Sequence, residues 1–169
     1  MTVERLDASR FGFDSRCFVC DPSNARGLQV PFFEDTDAHV VFADFELPAE
    51  FSGAPTLVHG GVTLALIDEA MSWATIALAG RFAYTGETTA RFAWPVRLGR
   101  PYRVEARVAD RSERRIGTEA TVLDAKRRVC VAASAAMVVL DVEQATDAIG
   151  APVAGPDAGY VEDRGCPPA

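Results

Sequence analysis

A His-Gly-Gly step leading into an apolar segment with two acids is the part of this 169-residue sequence best suited to chemistry. The segment, residues 57–80, reads LVHGGVTLALIDEAMSWATIALAG. Gly60 and Gly61 let a ligand approach the backbone closely, and the first turn of a helix offers unpaired N–H groups at the positive end of its dipole. Such amides stabilise the oxyanion that develops on an acyl or thioester carbonyl.

The two carboxylates of this segment, Asp68 and Glu69, require different roles. An acid two turns into the helix can act on a carbonyl held at its start, as a base towards water or as a nucleophile. With 3.6 residues per turn, Glu69 points about 100° away from Asp68, so the two cannot form a facing pair. One of the two carboxylates must therefore have a different role. An isolated His-Gly-Gly step would be explained better by tight packing of a helix on a sheet.

The elements around this segment predict an α+β fold. Strand-like runs rich in β-branched and aromatic residues stand at 27–35, 38–48, 82–96, 101–112, 115–125 and 127–142. Between the second and third lies a helix from Gly60 to about Ala79, which Gly80 closes as a C-cap. A helix that is apolar on nearly every side must be covered on nearly every side, so we expect an antiparallel sheet curled around one long central helix.

The sequence divides into three parts. Residues 1–27 form an N-terminal segment of mixed character, and residues 28–143 form the single domain. Residues 144–169 are rich in Gly, Pro, Ala and Asp, a composition typical of a flexible tail.

Charge and hydropathy exclude several classes of partner. A net charge of −7 and a pI near 4.8 argue against nucleic-acid binding, which needs a basic surface. Arginines cluster between residues 91 and 115, where they form either a local anion-binding patch or a solvated strand face with salt bridges. The N-terminus has no apolar run of the signal-peptide type, and acids interrupt the longest apolar stretch. We therefore expect a cytoplasmic protein without a membrane partner.

The cysteines do not by themselves predict a metal site. The sequence holds Cys17 and Cys20 in a CFVC run, and Cys130 and Cys166 further along. One such pair supplies two ligands where a structural zinc site usually needs four. His39, His59 or Cys130 could complete the set only if folding brought them there. We expect reduced cysteines, no metal and no cofactor.

The helix motif HGGVTLALID resembles that of the PaaI-type acyl-CoA thioesterases of the hotdog-fold superfamily, in which an Asp nine positions after the His is the catalytic acid. Asp68 stands nine positions after His59. The resemblance extends to CFVCDPSNARGL, similar to a run in one branch of that family, and to TGETTARFAWPVRLGRPYRVEARV, similar to a family strand and turn. Together these runs cover roughly residues 15–140.

This resemblance implies a hotdog fold and hydrolysis of an acyl-CoA thioester to free acid and CoA in a homodimer or homotetramer. It implies that Asp68 is the general base or nucleophile and that the Gly60 amide, with Gly61 nearby, forms the oxyanion site. Glu69 is then interpreted as a structural or interface carboxylate. His59 would orient the loop or the carbonyl, or be a helix-start residue with a satisfied imidazole. Thr85 would be the Ser or Thr, supplied from the partner subunit, that helps hold the attacking water, or an ordinary strand threonine.

The sequence departs from the family pattern at one position and leaves two alternatives open. Several relatives carry an Asn six positions before the His, where this chain has Gly53, and Ser52 could stand in for it. A hotdog hydratase or dehydratase would need a catalytic His in a Gly-His-Phe-Pro-like loop, which SGAPT lacks. A non-catalytic acyl-CoA-binding hotdog domain would not need Asp68.

Overall fold

An antiparallel sheet of seven strands dominates the computed structural model, which describes residues 2–11 and 15–152. In chain order its elements are β1 (Val3–Leu6), β2 (Phe32–Asp35), β3 (Val40–Phe45), β4 (Ser52–Ala54), β5 (Leu57–Val58), α1 (Gly60–Ala77), β6 (Ala83–Phe92), β7 (Tyr102–Arg111), β8 (Arg115–Asp124), β9 (Val129–Val139) and α2 (Val142–Ile149). The strand order across the large sheet is β1-β2-β3-β7-β8-β9-β6, and β4 pairs with β5 in a separate small hairpin.

Helix α1 forms where the sequence predicts it, and its last turn closes as expected. Gly80 takes a left-handed conformation, with φ of 66°, which its lack of a Cβ permits. Its N–H donates to the Ile76 carbonyl at 3.1 Å, and the Arg81 N–H donates to the Thr75 carbonyl at 2.9 Å, which satisfies carbonyls at the helix end. No helix among the described residues is long and apolar enough to cross a membrane.

The core lies between α1 and the sheet. Helix α1 packs against β2, β3, β6, β7, β8 and β9. The fully buried side chains of the helix include Leu66, Ile67, Ala70, Met71 and Ala74. They meet alternate residues of the strands, because successive side chains of a strand point to opposite faces. Those with no or almost no exposed surface include Val41, Val104, Ile116, Val122, Val131 and Met137. The predicted α+β arrangement of an antiparallel sheet around one long helix is confirmed.

Strand β6 is an edge of the sheet, and a bulge changes the direction of its side chains. Thr85 pairs with Met137, whereas Glu87 pairs with Ala136, which leaves Gly86 as the extra residue. A Cβ on Gly86 would lie 2.9 Å from Val138 Cγ2, so the bulge has room for glycine alone. Met137 is buried against the helix, and Thr85 is its partner on the neighbouring strand. Paired residues point to the same face of the sheet, so Thr85 faces the helix too.

Both ends of the chain add structure to the predicted domain. Strand β1 pairs antiparallel with β2 and lies within the predicted N-terminal segment. Helix α2 begins at Val142 with a capping box between Asp141 and Gln144, and it buries Ala145 completely. The first residues of the predicted flexible tail are therefore helical. Residues 153–169, with Cys166, lie outside the described residues, and the three-part division stays a prediction.

Candidate active site

The helix start is capped by His59. Its Nδ1 accepts a hydrogen bond from the Gly61 N–H at 2.9 Å, and the Val62 and Thr63 amides donate to its carbonyl at 3.0 and 3.1 Å. The His59 imidazole is thus a helix-start group with a satisfied nitrogen, one of the two roles expected for it. The Gly61 amide is engaged by this cap, so of the two predicted oxyanion donors it is the Gly60 N–H that has no hydrogen-bond partner recorded among the described residues.

The space around Gly53 is too small for the asparagine that the family pattern has at this position. A Cβ at this position would lie 2.9 Å from His59 Cα and 3.2 Å from the His59 ring. Since backbone atoms cannot give way easily, the capping histidine occupies the space that a larger residue would need. Ser52, the proposed substitute, is exposed and sits opposite Val58 in the small hairpin.

A cleft of about 310 Å³ opens beside the Gly60 amide. Its walls include Leu57, Thr63, Phe92 and Trp94. Phe92 is 47% exposed and Trp94 50% exposed, so both offer apolar surface to a ligand or to another protein surface. An apolar cleft with one free amide at a helix N-terminus suits an acyl group whose carbonyl oxygen accepts that N–H.

Asp68 meets Thr85 within one chain. The Thr85 hydroxyl donates to Asp68 Oδ1 at 2.6 Å, a short bond to a charged acceptor. The resemblance implied a threonine from the partner subunit that helps hold the attacking water, and that role stays a prediction. Within one chain, Thr85 already contacts Asp68. The physical reason is topological: β6 starts shortly after the helix ends and runs back beside it, and the bulge at Gly86 keeps Thr85 turned towards α1.

The two halves of the predicted site lie apart in one chain. Eight residues separate Gly60 from Asp68, and a helix rises about 1.5 Å per residue, so their backbones are roughly 12 Å apart along α1. A carbonyl held by the Gly60 amide is thus out of reach of water held by Asp68 of the same chain. The predicted oxyanion donor and the predicted acid of one chain are therefore too far apart to act on the same carbonyl.

Glu69 points to another part of the molecule, as the helical period predicts. Its Oε1 accepts the Trp73 indole N–H at 3.0 Å, and its Oε2 lies 3.3 Å from Cys17 Sγ. Burial, and after it the negative charge of Cys17, raise the pKa of Glu69 to about 7. This carboxylate is separate from the Asp68–Thr85 pair.

Cys17, Cys20 and Glu69 form a cluster of possible metal ligands. One donor atom from each lies within 4.8 Å of the others. A hydrogen bond from the Cys20 thiol, followed by the backbone N–H groups of Cys20 and Val19, lowers the pKa of Cys17 to about 5. The same thiol–thiolate bond, together with burial, raises the pKa of Cys20. The sequence predicted no metal site here, since His39, His59 or Cys130 could complete one only if folding brought them there. It gave no signal for Glu69 beyond an acid on an apolar helix.

Part of the arginine cluster forms ion pairs on the outer sheet surface. Arg103 pairs with Asp44 at 2.6 Å and lies over the Phe42 ring, 4.4 Å from its centroid. For Arg103 these contacts favour the solvated strand face over an anion-binding patch. Near the apolar cleft, the Arg128 guanidinium lies 4.5 Å from the centroid of Trp94.

Known proteins share this architecture. A family model described as the thioesterase superfamily matches residues 56–131. A solved thioesterase superfamily protein is 26% identical, with a TM-score of 0.68, over 73% of this chain and 60% of its own. The PaaI protein of the E. coli phenylacetic acid degradation operon is 14% identical, with a TM-score of 0.60, over 67% of this chain and 80% of its own. A hypothetical thioesterase from Streptococcus pneumoniae, solved with coenzyme A, is 15% identical, with a TM-score of 0.57, over 60% and 79%.

The chain therefore spans 60% of the length of the first of these structures. No curated protein matches the sequence. The shared architecture confirms the predicted hotdog fold.

Proposed function

We propose that this chain, which has the hotdog fold and whose residues 56–131 match the thioesterase superfamily model, hydrolyses acyl-CoA thioesters to a free acid and CoA. The observation that carries the proposal is the hydrogen bond between Asp68 and Thr85 on a largely apolar helix. The relative solved with coenzyme A supports CoA as the thiol half of the substrate.

Asp68 is the general base of this reaction. The Thr85 hydroxyl holds one carboxylate oxygen, which leaves the other oxygen to accept a proton from water. The water oxygen bonds to the thioester carbon, and the carbonyl π electrons move to its oxygen. When the tetrahedral intermediate collapses, the C–S bond breaks and the CoA sulphur takes the proton from Asp68. The carboxylate is thereby regenerated.

The Gly60 amide stabilises the oxyanion. It lies at the positive end of the α1 dipole and beside the apolar cleft, where the acyl chain or the pantetheine arm would rest. Because Gly60 and Asp68 are too far apart in one chain, the working site pairs Asp68 and Thr85 of one subunit with the partner subunit's Gly60. His59 positions that amide by capping the helix through Gly61.

Hydrolysis of a panel of acyl-CoAs, followed with a thiol-detecting reagent, tests the proposed activity. We expect Asp68→Asn to lower kcat by roughly 10²–10⁴, the usual contribution of a positioned acid–base group, while the variant still folds and binds acyl-CoA. Glu69→Gln is the matched control, with the same chemical change one residue along, and we expect a far smaller loss of rate.

Two outcomes would contradict this assignment. Near-normal hydrolysis by Asp68→Asn, with loss of activity in Glu69→Gln, would mean that the other carboxylate is the base. Acyl-CoA binding without turnover in the wild-type protein would favour a non-catalytic acyl-CoA-binding domain.

A further inference from the structure

Glu69 is a carboxylate whose position the proposed hydrolysis does not explain. It is partly buried on an apolar helix, and its recorded neighbours among the described residues are the Trp73 indole and the thiols of Cys17 and Cys20. A buried carboxylate is costly unless a cation or several donors compensate its charge. The indole supplies one donor, and the thiols are themselves ligands for cations.

The three donor atoms are close to the geometry of a tetrahedral metal site. Zn–S bonds of about 2.3 Å at tetrahedral angles put two thiolate sulphurs about 3.8 Å apart. Here all three donors lie within 4.8 Å of one another, and Cys17 Sγ is already 3.3 Å from Glu69 Oε2. Closure around an ion therefore needs a movement of about 1 Å or less.

The loop that carries the cysteines is already held in place by its own hydrogen bonds. The Val19 N–H donates to Cys17 Sγ at 3.3 Å, an outer-shell bond that orients and stabilises a thiolate ligand. The Leu28 N–H donates to the Phe18 carbonyl at 2.7 Å, which folds the loop back on itself. Gly27 permits this closure, because a Cβ there would collide with the Phe18 carbonyl.

An ion can reach this cluster from solvent. Cys20 lines a cleft of about 330 Å³ whose other walls include Asp21, Ser23 and Pro31. Water in that cleft can occupy a fourth coordination position. The cluster thus has donors, an ordered loop and a route of entry, which are the features required of a metal site.

We propose that Cys17, Cys20 and Glu69 bind one divalent transition-metal ion of the zinc type, with water as the fourth ligand. Two soft thiolates and one carboxylate suit zinc, whereas calcium and magnesium prefer oxygen ligands alone. The ion fastens the N-terminal loop to the centre of α1 and compensates the charge of Glu69. This proposal does not depend on the proposed hydrolysis.

The test is zinc binding by the full chain, purified under reducing conditions, stripped with a chelator and titrated with zinc. We expect one ion per chain, and a Tm that rises by roughly 5–10 °C when free zinc is about 100 times Kd. Cobalt in place of zinc should give the intense absorption of thiolate-to-cobalt charge transfer. Cys17→Ser, Cys20→Ser and Glu69→Gln should each weaken zinc binding at least about 10-fold, since each removes a ligand.

Two matched controls keep the result specific. Cys130→Ser alters a buried thiol outside the cluster, and Asp68→Asn alters the neighbouring carboxylate, so both should bind zinc like the wild type. Wild-type protein that takes up no zinc, or shows no thiolate-to-cobalt band, would overturn the proposal. So would Glu69→Gln with unchanged affinity and intact circular dichroism, or a Cys17–Cys20 disulfide in place of the ion, seen by mass under non-reducing conditions.

Discussion

Asp68 and Glu69 are adjacent acids with different surroundings. The Asp68 carboxylate accepts the Thr85 hydroxyl on the β6 side of α1, whereas Glu69 lies against the indole of Trp73 and the thiol of Cys17. One residue of offset on a helix is enough for this separation, because it rotates the side chain by about 100°. We propose that Asp68 is the base of the hydrolysis and that Glu69 is a ligand of a metal ion.

Thr85 is a positioning residue for Asp68 in the proposed mechanism. Thr85→Ala should lower kcat by roughly 10- to 100-fold, which corresponds to a hydrogen bond to a charged group worth about 1.5–3 kcal/mol. Thr85→Ser keeps the hydroxyl and should retain most of the activity. Steady-state kinetics on the same acyl-CoA checks both variants. Equal loss in the two variants would mean that the methyl group matters through packing and that the hydroxyl has no catalytic part.

At the scale of elements, α1 carries residues of both proposed sites, and β6 and the N-terminal loop supply the residues that contact its acids. The helix start presents the Gly60 amide to the apolar cleft, and the middle of the helix presents the acids. The bulge at Gly86 turns Thr85 towards the helix. Bulges next to functional side chains commonly have this effect.

Helix α2 divides the predicted tail into two parts with different expected contributions to stability. Truncation after residue 152 should leave Tm nearly unchanged, since the composition of residues 153–169 offers little to bury. Truncation after Leu140 removes the burial of Ala145 and the packing of Ile149. With about 2 kcal/mol lost, Tm should fall by roughly 4–8 °C in differential scanning calorimetry.

If the shorter truncation lowered Tm and the additional removal of α2 did not, the folded domain would end at a different residue. A large loss of Tm on removing residues 153–169 would mean that this segment packs on the core. An unchanged Tm after removal of α2 would mean that its packing contributes nothing measurable.

At the scale of the whole molecule, the edge of the large sheet matters. Among residues 2–11 and 15–152, no strand pairs with the outer edge of β6, and the side chains of Tyr84, Phe92 and Trp94 are each about half exposed. A two-fold assembly would cover such a surface and could place the oxyanion half of one subunit near the acid half of the other. We therefore expect at least a dimer by sedimentation at micromolar concentration.

Mixed dimers test whether the site is shared. Gly60→Pro removes the N–H at the first helical position, where proline is tolerated and where the extended backbone of His59 suits a following proline. Gly60→Pro and Asp68→Asn should each be nearly inactive alone. Random assortment of equal amounts should restore about one quarter of wild-type activity, because each mixed dimer holds one intact site.

Gly60→Ala is the control for this experiment. It keeps the N–H, and its Cβ would meet nothing closer than Phe92 Cζ at 4.0 Å, so activity should be largely retained. Mixing that restores nothing, while the dimers demonstrably exchange subunits, would contradict a shared site. A monomer in sedimentation would contradict the assembly itself.

The sequence by itself determined the features that follow from local rules. The α+β class, the central helix with its stop at Gly80, and the alternation of the later strands depend on residues a few positions apart. Helical period alone separated Asp68 from Glu69. These features are encoded by capping, glycine conformation and hydrophobic period, which act over a turn or a strand.

Only the tertiary structure decided which distant groups meet. Thr85 reaches Asp68 across 17 positions, and Cys17 reaches Glu69 across 52. Both contacts depend on how strands and loops pack against α1, and for Thr85 on a one-residue bulge that reverses which face a side chain takes. No local pattern carries that information, because sheet register and loop closure are set by the burial of the whole core.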